Sequence, residues 1–169
     1  MNKQKGEKRK PAFLTNLVGM LVNHYIDKQS FYSDPRQLCV VTDDSNLIKF
    51  TSSRRFDSAF PDIINPVAVW EIKEYYYTTT FGSRIADGVY ESLLDGYELA
   101  ELNKNSDIEV LHYIFVDAYH TFWDMGKAYL CRFVDLLNMG YADEIIFGSE
   151  VVEKIPELSK IWLSRVGEA

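Results

Sequence analysis

The first part of the chain combines one helical pattern with apolar runs of strand length. Apolar residues recur at helical spacing from about Pro11 until just before Gln29, and they predict an amphipathic first helix. The residues of this stripe are Leu14, Val18, Leu21 and Tyr25. Two apolar runs, 38–42 and 47–51, then flank the polar stretch 43–46, a pattern typical of a β-hairpin.

The central part predicts a second hairpin, followed by alternating helices and strands. One strand runs into 60–64 and turns at Asn65-Pro66, and the return strand covers 67 to about 77, rich in β-branched and aromatic residues. Beyond it, the pattern predicts a helix over 84–103, a buried strand over 108–116, a helix over 122–139, a strand over 144–147 and a helix over 151–165. This order predicts an α/β domain with a mixed β-sheet flanked by helices.

Composition and charge limit the class of protein. The 169 residues are 47% hydrophobic and 25% charged, which excludes a disordered chain, a fibrous repeat and an integral membrane protein. The net charge of −7 argues against a histone-like binder, but it leaves nucleic acid open as a substrate. Five basic residues against Glu7 make 1–10 a basic segment, expected to be a flexible tail before a single domain over 11–169. Cys39 and Cys131 lack CxxC spacing and are expected to be reduced core residues of a cytoplasmic protein.

The second hairpin carries the most informative polar residues. A two-residue turn at Asn65-Pro66 would place Asp62 opposite Val69. Residues directly opposite, and residues two apart on a strand, share a face of the sheet. Asp62, Glu71 and Lys73 are therefore expected on one face, with the Cα atoms of the two acids roughly 7 Å apart.

Two carboxylates and an ammonium on one face suit phosphodiester hydrolysis. Asp62 and Glu71 would hold Mg²⁺ through hard oxygen ligands, and the backbone carbonyl of Ile72 is a further candidate ligand. Lys73 would orient or deprotonate the attacking water, or stabilise the pentavalent transition state. The structural alternative makes Glu71 and Lys73 an ordinary ion pair on the sheet and Asp62 a turn residue.

The motif Pro61-Asp62…Glu71-Ile72-Lys73 resembles that of the PD-(D/E)xK nuclease superfamily, the fold of many restriction endonucleases. The order of elements up to about Val116 is similar to the αβββαβ core of that superfamily, and the likeness covers most of the chain. Residues 70–84 more narrowly resemble the catalytic domains of type IIS restriction enzymes and their nicking relatives, some of which use a small separate cleavage subunit. Many members carry an extra acid on the first helix, where this chain offers only Asp27, so the number of metal ions stays open.

Several further residues are weaker candidates. Glu91 on the helix after the return strand is either an accessory acid or part of a solvated face. Hydroxyl and basic side chains are candidates for DNA backbone contacts, or else surface charges, a strand end and a helix cap. The residues in question are Arg54, Arg55, Thr78, Thr80, Ser83 and Arg84.

The resemblance implies a Mg²⁺-dependent DNA endonuclease of the restriction type, acting on double-stranded DNA. The chain has little left for reading bases once its core is built, and it lacks a basic balance. We therefore expect a catalytic subunit that cuts one strand and relies on a larger DNA-recognition subunit. The alternatives are a self-sufficient homodimeric restriction endonuclease, and a catalytically silent nuclease-fold module that binds DNA or protein.

Overall fold

A computed structural model of the chain describes residues 12–75, 83–117 and 120–166, with the backbone alone for residues 83 and 84. The predicted basic tail over 1–10 lies outside these residues. The four helices are α1 (Phe13–Tyr25), α2 (Ser83–Asn105), α3 (Lys127–Asn138) and α4 (Val151–Val166). The seven strands are β1 (Tyr32–Ser33), β2 (Val40–Thr42), β3 (Ile48–Thr51), β4 (Ser58–Phe60), β5 (Ala68–Lys73), β6 (Leu111–Val116) and β7 (Glu144–Phe147). None of the helices in the described ranges is both long and apolar enough to span a bilayer.

The helix predicted over 122–139 is divided into two parts. A π-helical turn covers His120–Asp124, and α3 begins at Lys127 after Gly126. Glycine lowers the stability of a helix interior, and here it separates the two segments. The other predicted helices and the strand at 144–147 are confirmed to within a few residues.

Five strands form one mixed sheet in the order β1-β4-β5-β6-β7. Strand β4 pairs antiparallel with both β1 and β5, whereas β5, β6 and β7 run parallel. The hairpin predicted from 38–42 and 47–51 is confirmed as β2 and β3, and it forms a two-stranded sheet of its own. The α/β class with a mixed sheet flanked by helices is therefore confirmed.

The predicted register of the second hairpin is wrong. Phe60 pairs with Ala68, so residues 61–67 form a long connection instead of a two-residue turn at Asn65-Pro66. Val69 lies opposite Ala59 and not opposite Asp62. The physical reason is that Pro61 has no N–H to donate, so the ladder cannot continue through it.

The two faces of the sheet pack against different helices. On one face α1 and α4 cover alternate residues of β5 and β6, and Trp70 stacks on Trp162 with ring centroids 5.1 Å apart. On the other face α2 and α3 pack over two smaller apolar clusters, one of which includes Val69. Strand β5 is thus covered on both faces, and its alternate residues face two different environments.

The start of α1 is tied to the end of β5. The N-cap residue of α1, Ala12, provides no side-chain hydrogen bond to the first turn. Instead, the Glu74 carboxylate accepts hydrogen bonds from the backbone N–H groups of Leu14 and Thr15 at 3.2 Å, and from the Thr15 hydroxyl at 2.8 Å. A carboxylate is favourable there because the first N–H groups of a helix lack internal partners.

Candidate active site

Strand β5 places Glu71 and Lys73 side by side beneath α2. Residues two apart on a strand share a face, and both side chains are almost fully buried, with 1% and 5% of their surface exposed. Lys73 Nζ donates to Glu71 Oε2 at 2.7 Å. Burial acts to lower the pKa of Lys73, but the adjacent Glu71 carboxylate outweighs it, so the pKa is raised. Lys73 is therefore an ammonium at neutral pH.

Helix α2 brings two more acids, Glu91 and Asp95, to the same place. They are one helical turn apart and share a helix face. Glu91 Oε2 lies 3.7 Å from Lys73 Nζ, so the predicted accessory acid does reach the pair on β5. Three residues before Glu91, Gly88 leaves room for the Tyr75 hydroxyl, which a Cβ atom at that position would overlap.

Arg54 lies among these carboxylates. Its Nη1 atom is 2.5 Å from Asp95 Oδ2 and 3.2 Å from Glu71 Oε1. Its Nη2 atom is 3.2 Å from Glu91 Oε2. Arg54 was predicted as a DNA backbone contact, but its guanidinium is engaged inside the molecule by three acids.

Asp57 is the acid that lies across from Glu71. It directly precedes β4, and extending the observed register by one pair puts it opposite Glu71. Its Oδ2 atom accepts a hydrogen bond from the N–H of Ile72 at 2.7 Å. Asp57 is exposed at the surface, yet displacement of water by the surrounding protein, followed by the charge of Glu71, raises its pKa to about 6 against the lowering effect of the Ile72 hydrogen bond.

Asp62 does not join this group. Its Oδ1 atom accepts hydrogen bonds from the backbone N–H groups of Ile63 at 2.6 Å and Ile64 at 3.3 Å, so it is a turn residue. It lies beyond the Phe60 end of β4, whereas Glu71 is three residues along β5 from that end, or about 10 Å away. The predicted grouping of Asp62 with Glu71 is wrong because it depended on the incorrect register.

The remaining predicted residues are distributed around this centre. Arg55 is exposed and its Nη1 atom donates to the carbonyl of Pro35 at 3.4 Å. Ile72 directs its N–H toward Asp57, and a residue in a β-ladder directs its carbonyl to the same side. Thr78 and Thr80 lie outside the described residues, as do the side chains of Ser83 and Arg84, which open α2.

Sequence reasoning missed Asp57 and Asp95, and each had a signal. Asp95 follows Glu91 by four residues, a spacing that places it on the same helix face. For Asp57, the signal was the pair of prolines, Pro61 and Pro66, which favours a long connection over a tight hairpin turn. With that connection, the acid across from Glu71 is the one before β4 and not the one after it.

The cluster carries more negative than positive charge. Its acids are Asp57, Glu71, Glu91 and Asp95, and its cations are Arg54 and Lys73. Asp95 is fully buried, and this desolvation, followed by the Glu71 charge, raises its pKa to about 7 against the opposing effect of Arg54. Its Oδ1 atom has no hydrogen-bond partner within the described part of the chain. Such an excess of acids favours an additional cation.

The donor set fits Mg²⁺. All candidate ligands are oxygens, and two buried carboxylate oxygens of the cluster, Glu71 Oε1 and Asp95 Oδ1, have no hydrogen-bond partner in the ranges that the structure covers. Among the described residues, no group of three or more Asp, Glu, His or Cys side chains is already arranged so that it could hold a metal ion. A complete protein cage is not required, because Mg²⁺ is usually held by one or two carboxylates together with water and phosphate oxygens.

Fold and site together define an α/β protein whose mixed five-stranded sheet carries a buried cluster of carboxylates and cations at the carboxyl end of its central strand. The chain belongs to the family described as a domain of unknown function, DUF7687, whose model matches residues 1–162. No curated protein and no solved structure matches the chain.

Proposed function

We propose that this protein is a Mg²⁺-dependent DNA endonuclease with a restriction endonuclease-like core. The observation that carries the proposal is the pair Glu71 and Lys73, buried side by side on the central strand with Asp57 across from them. This combination keeps the acid…Glu-x-Lys pattern of the PD-(D/E)xK superfamily, with Asp57 in the role first assigned to Asp62. Phe56 stands where the pattern has proline.

Asp57, Glu71 and the carbonyl of Ile72 would hold the metal ion. The two side chains belong to neighbouring strands, and the Ile72 N–H already bonds to Asp57, so its carbonyl is directed to that side. Bound Mg²⁺ neutralises charge on the scissile phosphate and lowers the pKa of a coordinated water. Glu91 and Asp95 add negative charge from α2 and strengthen the attraction for a cation.

Lys73 acts as a donor and not as a base in this scheme. Its pKa is raised by Glu71, so its ammonium holds three donor hydrogens at neutral pH. An ammonium can orient the attacking water through that water's lone pair, or stabilise the charge that develops on the phosphoryl oxygens. Of the roles open to Lys73, these two are favoured over deprotonation of the water.

The charge distribution supports dependence on a DNA-recognition subunit. The net charge is −7, and Arg54, one of the basic residues nearest the site, is bound by three acids. Affinity for DNA comes mainly from cations that neutralise phosphates. We therefore propose that this chain supplies one active site for one strand, while a larger partner reads the sequence.

We also propose a cytoplasmic location. Both cysteines, Cys39 and Cys131, are free thiols, and a reducing compartment keeps thiols in this form.

Plasmid cleavage tests the proposed activity. Supercoiled plasmid is incubated with Mg²⁺ and purified protein, with and without extract of the source cells, and nicked circles are measured. Lys73→Ala removes the donor and is expected to reduce the rate on the order of 10³-fold. Lys104→Ala is the matched control, because Lys104 is an exposed lysine at the end of α2.

The outcomes separate the alternatives. Nicking that needs the extract supports the catalytic subunit, and sequence-specific double-strand cutting by the protein alone supports the homodimer. An active Lys73→Ala variant, or cleavage that persists in EDTA, contradicts the proposal. Absence of cleavage under both conditions favours the silent module.

A further inference from the structure

Arg54 sits where a positive charge would be most attracted to the carboxylate cluster. Its guanidinium contacts acids from two elements, Glu71 on β5 and Asp95 on α2. Nη2 donates to Glu71 Oε2 at 3.4 Å, and Nη1 lies 3.2 Å from Glu71 Oε1 as an ion-pair contact without a hydrogen bond. Its Nη1 donor is directed to Asp95 Oδ2 instead, so one planar guanidinium serves both acids.

The same oxygens are those that a metal ion would need. A divalent ion such as Mg²⁺ binds carboxylate oxygen directly, at about 2.1 Å, and cannot share that oxygen's open side with a guanidinium. The divalent ion and the Arg54 guanidinium would also repel each other if both were bound to the same carboxylate. With Arg54 Nη1 3.2 Å from Oε1 and Lys73 Nζ 2.7 Å from Oε2, a positive charge already lies beside each oxygen of Glu71.

The element that carries Arg54 differs from those that carry the acids. Glu71 and Asp95 belong to the central strand and to the long helix α2, and they are 1% and 0% exposed. Arg54 belongs to the connection between β3 and β4, and 27% of its side chain is exposed. Its guanidinium can therefore rotate toward solvent while the strand and the helix keep their positions.

We infer that Arg54 is the internal counter-ion of this cluster, and that a divalent cation binds Glu71 by displacing the Arg54 guanidinium. The inference rests on the proposed function in one respect, which is that the cluster binds a divalent ion. It adds that Arg54 offsets part of the negative charge of the cluster until an ion arrives. Arg54 is thus a positioning residue whose removal strengthens metal binding.

Calorimetric titration with Mn²⁺, without DNA and at fixed pH, tests the inference. Arg54→Gln removes the competing charge and is expected to tighten Mn²⁺ binding on the order of tenfold. A positive charge a few ångströms from a divalent ion repels it appreciably even at the dielectric constant of water. Arg165→Gln is the control: Arg165 is also paired with an acid, Glu109, but at the opposite end of the parallel strands. It is expected to leave the affinity unchanged.

A second measurement does not depend on a variant that must fold. In the wild-type protein, the side-chain N–H signals of Arg54 are followed by NMR during a titration with Ca²⁺. Paired guanidinium groups rotate slowly, and displacement is expected to release Arg54 into the fast rotation of a solvated arginine.

The results distinguish this inference from the proposed function. Tighter Mn²⁺ binding by Arg54→Gln, with release of Arg54 by Ca²⁺, supports it. If the wild type binds Mn²⁺ but Arg54→Gln binds it equally or more weakly, or if Arg54 stays restrained at saturating Ca²⁺, the counter-ion role is overturned and the proposed metal site stands. If no variant binds a divalent ion, both are overturned.

Discussion

The two faces of strand β5 are both buried, yet one carries apolar and aromatic side chains and the other carries charged ones. On the α1 and α4 face, Trp70 stacks against Trp162 within a cluster made of apolar and aromatic side chains. On the α2 face, Glu71 and Lys73 are nearly as inaccessible, but they meet Arg54 and Asp95. Adjacent residues of one strand therefore belong to a dry core and to a desolvated charge cluster.

This difference separates residues that stabilise the fold from residues that serve another purpose. Burying an aromatic side chain contributes directly to the free energy of folding. Burying charges is costly, and even a well-paired buried ion pair is often no better than apolar side chains of the same size. A cluster with an unpartnered oxygen on Asp95, counting the described residues, is thus better explained by function than by stability.

The largest expected effect contrasts the two faces directly. Trp70→Ala leaves a cavity against Trp162 and is expected to lower the free energy of unfolding by about 3–5 kcal/mol. Glu71→Gln is expected to cost much less, because the cluster has an excess of acids and both cations keep Glu91 as a partner. Urea unfolding of both variants checks this. Equal losses would mean that the charged face is structural.

The next effect concerns catalysis and sharpens the assignment of the second acid. Asp57→Asn removes a proposed metal ligand and is expected to slow plasmid nicking by about a hundredfold. Asp62→Asn keeps an Oδ1 acceptor for the N–H groups of Ile63 and Ile64 and is expected to leave the rate unchanged. The reverse result would restore the assignment made from the sequence.

The smallest effect concerns the reactivity of Cys39, and it tests whether the α2 face of β5 is apolar and dry around Val69, away from the charged cluster. Cys39 packs with Val69 in an apolar cluster on the α2 face, and burial, with the charge of Asp62, raises its pKa to about 12. At pH 8 its thiol is therefore protonated as well as buried, whereas Cys131 is exposed. A chromogenic disulfide reagent is expected to modify one thiol rapidly and the second only on unfolding. Rapid modification of both would show that water reaches this end of the face.

Much of the fold followed from apolar periodicity, whereas the site followed only in part. The long run before Val116 and the stripes on the helices fixed the α/β order, but the two residues of β1 were too few to form a pattern. The alternation of Glu71 and Lys73 placed both on one face because strand parity is local. Asp57 needed the register of two strands. The place of Arg54 among the acids needed tertiary contacts between separate elements, which no local pattern contains, whereas Asp95 had a local signal in its spacing from Glu91.

The hydrogen bonds from Glu74 to α1 have a consequence for the order of folding. Leu14 and Thr15 precede Glu74 by 60 and 59 residues, so during synthesis α1 completes its N-terminal turn only after β5 has followed. A helix of this length is marginal in isolation. Because Glu74 directly follows Lys73, we expect formation of α1 and ordering of β5 to belong to one cooperative unit. We therefore expect α1 to become stable only together with β5 and the residues of the site.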